Sequence, residues 1–283
     1  MSTRPPVKPP DISLTAALSE RSARVVAAAK LQRHTGRRRA GRFLAEGPNL
    51  VEAAAQHGLV IEVFATVAAA ARHAGLLSGL PVHEVTERAA KALSETVTPS
   101  GLVAVCQLPD PDLSTVLAET PRLVVVAVEL SEPGNAGTLI RLADAMGAGA
   151  VVFAGNSVDP YNGKCLRSSA GSIFAVPVVL EPDVGDVVSR LRAAGLQVLA
   201  TTLDGEVSLD DADALLATPT AWMFGPEAHG LSAETAALAD HRVTIPMAGG
   251  AESLNVAAAA AICLYQSARA SRVARTSGSG EPG

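Results

Sequence analysis

The chain has 283 residues, 48% of them apolar, with five Phe, two Tyr and one Trp and a formal net charge of −5 at pH 7. So apolar a composition excludes a disordered chain, and so few aromatics argue against an RNA-recognition face of stacked rings. Cys106, Cys165 and Cys263 are scattered, with no Cys-x-x-Cys pair, which excludes a disulfide scaffold and offers no set of zinc ligands.

Residues 1–11 are Pro-rich and polar and predict a disordered leader. The opening MSTRPPVKPP lacks an apolar segment, so no signal peptide is expected. Residues 13–31 are rich in Ala and Leu and read as a helix. Residues 33–42 have no apolar periodicity and read as a loop or helix end that concentrates Arg33, Arg37, Arg38, Arg39 and Arg42. A small α/β unit follows, with strands at 43–47, 61–66, 82–85 and 101–107. Its helices fall at 48–57, with Pro48 at the first position, and at 67–75 and 86–93. Pro109-Asp110-Pro111 ends it, because two prolines in three residues stop any regular element.

The next run, 123–130, is purely apolar and reads as a strand buried on both faces. Strands and helices then alternate: helix 136–147, strand 150–154, strand 175–179, helix 184–194, strands 196–201 and 220–224, helix 232–239, strand 242–246 and an Ala-rich helix at 254–269. Residues 271–283 read as a disordered tail. Strands separated by helices predict an α/β fold with a mostly parallel sheet. The expected domains are 12–108 and 120–270. The longest apolar stretch, 256–265, is too short to span a bilayer, so a soluble cytoplasmic protein is expected.

Charge is unevenly placed. Residues 1–46 hold ten basic and three acidic side chains, a balance of +7; the remaining 13 basic and 25 acidic residues give −12. This predicts a basic arm or face on an acidic body.

Ligands of open parallel sheets bind beyond the carboxyl ends of the strands, and three such ends carry glycine and polar residues. After 123–130 come Asn135, Gly137 and Arg141, with Asn135 read as a helix cap. After 220–224 come Gly225, Glu227, Gly230 and Leu231; His229 in this turn is read as an ordinary loop histidine. After 242–246 come Ile245-Pro246-Met247 and then Ser253-Leu254-Asn255-Val256, with Ser253 at a helix start. No Gly-x-Gly-x-x-Gly opens a helix, which disfavours a dinucleotide-binding oxidoreductase.

In this order and spacing the three motifs resemble those of the SpoU-type RNA 2′-O-ribose methyltransferases of the SPOUT superfamily, over about residues 120–268. Phe43-Leu44-Ala45-Glu46-Gly47 and Leu50-Val51-Glu52-Ala53 look like that family's small substrate-binding domain. The resemblance implies a trefoil knot at the carboxyl end of the catalytic domain and a homodimer. It implies S-adenosylmethionine as cofactor, held by Gly225, Ile245, Met247 and Leu254, with no metal. It implies Arg141 as the catalytic arginine, surrounded by Asn135, Glu227, Ser253 and Asn255. A guanidinium hardly loses its proton, so Arg141 is expected to orient a phosphate and stabilise a developing alkoxide. Lys164 and Arg167, three apart on one helix face, are expected to contact phosphate with Arg37, Arg38, Arg39 and Arg42. The RNA implied is 23S ribosomal RNA. The alternatives are a transfer-RNA methyltransferase, or a non-catalytic RNA-binding or ribosome-assembly protein with a vestigial site.

Overall fold

The computed structural model describes residues 17–226 and 229–278. The chain forms two compact units. One holds the chain up to Leu108 together with Tyr161–Arg167; the other holds Pro109–Pro160 and the chain from Ser168 onward. The second unit is thus wider at its start than the expected 120–270, and it lends one short segment to the first.

The first unit comprises α1 (Ala23–Ala29), α2 (His34–Ala40), β1 (Arg42–Glu46), α3 (Pro48–Gln56), β2 (Val60–Ala65), α4 (Val67–Arg72), α5 (Ala74–Leu77), β3 (Val82–Glu84), α6 (Glu87–Leu93) and β4 (Leu102–Gln107). Its sheet has the order β1-β4-β2-β3, with β4 antiparallel to both neighbours and β2 parallel to β3. β4 is apolar at Leu102 through Cys106 and buried there throughout, as a central strand must be when both its faces are covered. Val25 and Ala28 of α1 and Ala89, Ala90 and Leu93 of α6 pack with Phe64, Val103 and Val105 in one apolar cluster. Thr66 and Thr86 cap α4 and α6, accepting from the N–H groups of Ala69 and Ala89 at 3.3 and 3.2 Å.

Helix α2 occupies the segment that the sequence presents as a loop or helix end. Gly36 makes this possible: a Cβ there would lie 2.0 Å from the Lys30 carbonyl oxygen, so only glycine lets α2 fold back on the preceding turn. Its inward residue is Arg37, which is 4% exposed and donates to the carbonyls of Leu31 and Gln32 at 3.0 and 2.8 Å. Gly41, at φ +60°, then ends the helix in the left-handed conformation glycine tolerates.

The second unit comprises α7 (Leu113–Ala118), β5 (Leu123–Val128), α8 (Pro133–Ala145), β6 (Ala150–Ala154), β7 (Val178–Glu181), α10 (Val184–Ala193), β8 (Gln197–Thr201), β9 (Val207–Ser208), α11 (Asp213–Leu216), β10 (Thr220–Phe224), α12 (Ala233–Ala236), β11 (His241–Thr244) and α13 (Val256–Gly278); α9 (Gly163–Ser169) begins in the segment that belongs to the first unit. The sheet order is β7-β6-β5-β10-β8-β11-β9, and every pairing is parallel. β5 lies between β6 and β10, with Val126 opposite both Val152 and Met223. Val124, Val126 and Val128 face a cluster that includes Leu113 of α7 and Val187 and Leu191 of α10. At Trp222 of β10 the indole N–H donates to the hydroxyl of Ser267 at 2.8 Å, in the interior, and so fixes α13 to the sheet.

Two expectations change here. Glu132, not Asn135, caps α8, accepting from Gly134 N–H at 3.3 Å with Pro133 as first helical residue, so Asn135 lies inside the first turn. α13 continues to Gly278, so 271–278 is helical where a disordered tail is expected; 279–283 and the leader 1–11 fall outside the described residues. Among the described residues no helix is long and apolar enough to cross a membrane, and no cluster of His, Cys, Asp or Glu is arranged to hold a metal.

Candidate active site

The carboxyl ends of β8, β10 and β11 open onto a cavity of about 600 Å³. Gly225 follows β10, Ile245 and Met247 follow β11, and Leu254 precedes α13; all four line it, and so do Ser253 and His229. Thr201 at the end of β8 and the loop after it, residues 202–204, complete the wall. Sequence reading misses this loop because it carries no glycine–polar motif before Gly205. The signal available was its place at the end of a parallel strand.

Close backbone approaches shape the cavity. A Cβ on Gly225 would lie 2.4 Å from the carbonyl carbon of Gly230 and the nitrogen of Leu231. A Cβ on Gly205 would lie 2.6 Å from the nitrogen of Thr244 and the carbonyl carbon of Val243. Glycine is required at both places by space, since neither has a positive φ. Around the mouth, Leu203, Met247 and Leu254 leave 67%, 37% and 38% of their surface in solvent, an apolar lining without a protein partner. Arg242, also in the wall, pairs with Glu206 at 3.0 Å and Asp204 at 3.4 Å. The Arg242 backbone N–H and then its guanidinium hold the Glu206 carboxyl below the usual carboxylate range.

Beside this cavity the fold joins two of the expected catalytic residues. Asn255 Nδ2 donates to Asn135 Oδ1 at 3.3 Å across 120 positions of sequence, and Asn255 Oδ1 accepts from the N–H of Ala257 at 2.9 Å, which anchors it to the start of α13. Both amides are thereby oriented, with Asn135 on the first turn of α8. Arg141 lies on the same helix, exposed, and is not among the residues that line the cavity. The contrast with other arginines of this unit is sharp. Arg190 pairs with Glu181, Asp186 and Asp112, Arg192 with Asp240, and Arg269 with Asp213. Arg141 has no ion pair among the described residues. Glu227, expected in the same shell, lies outside the described residues.

In the first unit, Arg33, Arg38, Arg39 and Arg42 are exposed. Arg37 is not, and its guanidinium is bound to backbone carbonyls, which removes it from any surface offered to phosphate. Lys164 and Arg167 are exposed on α9. Asn162 starts that helix, its Oδ1 accepting from the N–H groups of Lys164 and Cys165, both at 3.0 Å. Buried Tyr161 holds the segment to the first unit, its ring 5.1 Å from that of Phe43. The two cations therefore belong to the same compact unit as the arginines of α2.

The family model described as SpoU rRNA Methylase family matches residues 122–265, and that of the MRM3-like substrate binding domain matches residues 22–104. The chain is 35% identical over 241 residues to the 23S rRNA (guanosine(2553)-2'-O)-methyltransferase RlmP of Bacillus subtilis (strain 168), covering 83% of this chain and 92% of that protein. It is 40% identical over 174 residues to the 23S rRNA (uridine(2479)-2'-O)-methyltransferase of Streptomyces viridochromogenes, covering 60% of this chain and 61% of that protein. Among solved structures, the SpoU methyltransferase AviRb from Streptomyces viridochromogenes in complex with the cofactor AdoMet superposes with a TM-score of 0.79 at 34% identity. That match covers 89% of this chain and 99% of the other.

Proposed function

The chain belongs to the SpoU rRNA methylase family, and from that premise we propose that it transfers a methyl group from S-adenosylmethionine to a ribose 2′-oxygen of 23S ribosomal RNA. The observation that carries this reading is the meeting of three motifs distant in sequence: a cavity of about 600 Å³ lined by Gly225, Ile245, Met247 and Leu254, with Asn135 and Asn255 joined beside it. Such a volume suits a ligand of this size, and an apolar wall with a few polar groups suits an adenosyl moiety. The cofactor supplies a methyl group already activated on a sulfonium.

What remains for the protein is alignment and the management of charge on a weakly acidic hydroxyl. Gly225 leaves the backbone of its turn open to a ligand, because nothing larger fits against Gly230 and Leu231. The Asn135–Asn255 pair presents amides of fixed orientation, with Ser253 on the cavity wall and Glu227 as the further polar members of the shell. A guanidinium serves as a cation and hydrogen-bond donor and not as a proton acceptor, so the part proposed for Arg141 is electrostatic. Without a carboxylate partner among the described residues, it binds an RNA phosphate and stabilises the negative charge developing on the 2′-oxygen as that oxygen takes the methyl group, its proton passes to solvent water and S-adenosylhomocysteine leaves.

The phosphate grip consists of Arg38, Arg39, Arg42, Lys164 and Arg167. The close approach of Gly205 to Val243 and Thr244 supports a trefoil knot, in which one stretch of chain passes tightly against another. Ile262 and Tyr265, three apart on α13, are 37% and 52% exposed, and support a homodimer in which a second copy covers this face. The relatives' 23S substrates favour ribosomal over transfer RNA.

Incubation with labelled S-adenosylmethionine and either ribosomal or transfer RNA, followed by mapping of 2′-O-methyl groups, tests the reading. The expected product is one methylated ribose in 23S RNA. Methylation of transfer RNA alone, of a base, or of neither RNA overturns it. Arg141→Lys keeps the charge but loses the planar fork, and is expected to lower kcat about 100-fold with cofactor affinity unchanged. Near-full turnover would show that the fork is not used.

A further inference from the structure

Glu46 ends β1, and its carboxylate holds the turn that follows α6. The Ser94 hydroxyl donates to it, and so do the Thr96 hydroxyl at 2.9 Å and the Glu95 N–H at 3.4 Å. The Thr96 N–H donates in turn to the Ser94 hydroxyl at 3.0 Å. The backbone of Glu95 is thus pinned, while its side chain is exposed and reaches α9. A Cβ on Gly163 would overlap Glu95 Oε2 and lie 3.0 Å from Arg167 Nη1, and Glu95 and Arg167 line one small cleft of the first unit. Among the described residues neither of them is in an ion pair. A carboxylate so placed lowers the positive potential that Arg167 offers. It also repels any phosphate that comes to the guanidinium from its side.

We propose that Glu95 is a specificity-determining residue for the RNA substrate, acting through Arg167. An acid set among the cations of a phosphate grip costs affinity for every RNA, and that cost falls unequally. A flexible strand, whose phosphates approach from all sides, loses the contact with Arg167. A folded RNA whose backbone brings a phosphate to the guanidinium clear of Glu95 keeps it. Discrimination then comes from a repulsive element built against the wrong partner. The inference rests on the proposed phosphate grip, and it gives the turn held by Glu46 a part in substrate selection.

Filter binding of the full chain to 23S ribosomal RNA and to polyuridylate, over a series of salt concentrations, tests it. Glu95→Gln keeps the size of the side chain and removes its charge. It is expected to tighten polyuridylate binding about threefold to fivefold and to steepen its slope of log affinity against log salt by about 1. Affinity for 23S RNA is expected to stay within about twofold of the parent. Arg167→Ala is expected to weaken 23S binding, and in that background Glu95→Gln is expected to change nothing, since the two act as one unit. Unchanged polyuridylate binding, an equal gain for both RNAs, or a gain that persists without Arg167 overturns the role of Glu95 alone. If Arg167→Ala binds 23S RNA like the parent, the part of Arg167 in the phosphate grip is wrong and the role of Glu95 falls with it.

Discussion

Gly225→Ala is the change whose consequence the geometry fixes most closely. The added Cβ would sit 2.4 Å from Gly230 C and Leu231 N and 2.8 Å from Gly230 O, where ordinary contact is 3.4–4 Å. Gly225 has no positive φ, so backbone conformation adds nothing and the cost is overpacking alone. The two sides must part by about 1 Å to reach normal van der Waals separation. Leu231 is packed on the core cluster of the second unit, so the turn between Gly225 and Gly230 is the side that yields, and it lines the cavity. Overpacking against backbone costs about 2–3 kcal/mol, a fall in melting temperature of about 5–10 °C for a domain of this size. Cofactor affinity, read by calorimetric titration with S-adenosylmethionine, is expected to fall about 100-fold, since the displaced turn is part of the wall. Gly250→Ala is the control, because a Cβ there meets nothing within 4 Å. Should Gly225→Ala bind and melt like Gly250→Ala, the tight approach of Gly225 to Gly230 and its place in the site would both be wrong.

The arginines of the first unit separate into two kinds by experiment. Replacing Arg38, Arg39 and Arg42 together by alanine is expected to weaken ribosomal RNA binding, to reduce the slope of log affinity against log salt by about 2–3, and to leave S-adenosylmethionine affinity unchanged. Arg37→Ala is instead expected to lower stability by about 2–4 kcal/mol in denaturant titration, because it strips charged donors from the carbonyls of Leu31 and Gln32; an unchanged midpoint would refute its structural role. For Asp240, partial burial works to raise the pKa, but the Val198 N–H at 2.7 Å and Arg192 outweigh it and hold the carboxyl below its usual range. A lowered folded-state pKa contributes stability above the unfolded value, and that stability is lost as pH falls through the folded value. Asp240→Asn is therefore expected to cost about 1 kcal/mol at pH 7, with the difference from the parent vanishing on acidification below about pH 4; a difference independent of pH would refute the assignment.

How much of this was legible in the sequence depends on which force decides each element. The run Leu123–Val128 declared itself because a strand buried on both faces must be apolar at every position. Helix α2 was hidden because its inward positions are Gly36 and Arg37, a poor helix former and a charge. Only the return of α2 onto Lys30, Leu31 and Gln32 explains why those residues suit a helix. α7 is six residues long, too short to show a period, and the last turns of α13 are spelled in Ser, Arg and Gly, which read equally well as a tail. At the site, motif order brought Asn135 and Asn255 onto one list. Their contact at 3.3 Å, across 120 positions, depends on α13 packing beside α8, which no local pattern encodes.

The distribution of charge also takes on a different meaning once partners are known. A +7 amino-terminal stretch suggests that all its arginines serve one purpose, yet Arg37 is spent on holding α2 to the preceding turn. Lys164 and Arg167, over a hundred positions away, join the unit it was thought to serve alone. In the acidic second unit, arginines are mostly neutralised where they stand: Arg190, Arg192, Arg242 and Arg269 each meet a carboxylate. Arg122 has no carboxylate but donates to the Ala217 carbonyl at 2.6 Å, so an arginine of this unit with neither kind of contact among the described residues stands out. Arg141 is such a residue, and it shares a helix with Asn135. An unneutralised guanidinium retains its full attraction for an incoming phosphate, whereas one already paired would first have to release its carboxylate. The absence of a carboxylate partner among the described residues thus supports the role proposed for Arg141 toward an anionic substrate, a role that a net-charge count would never have singled out.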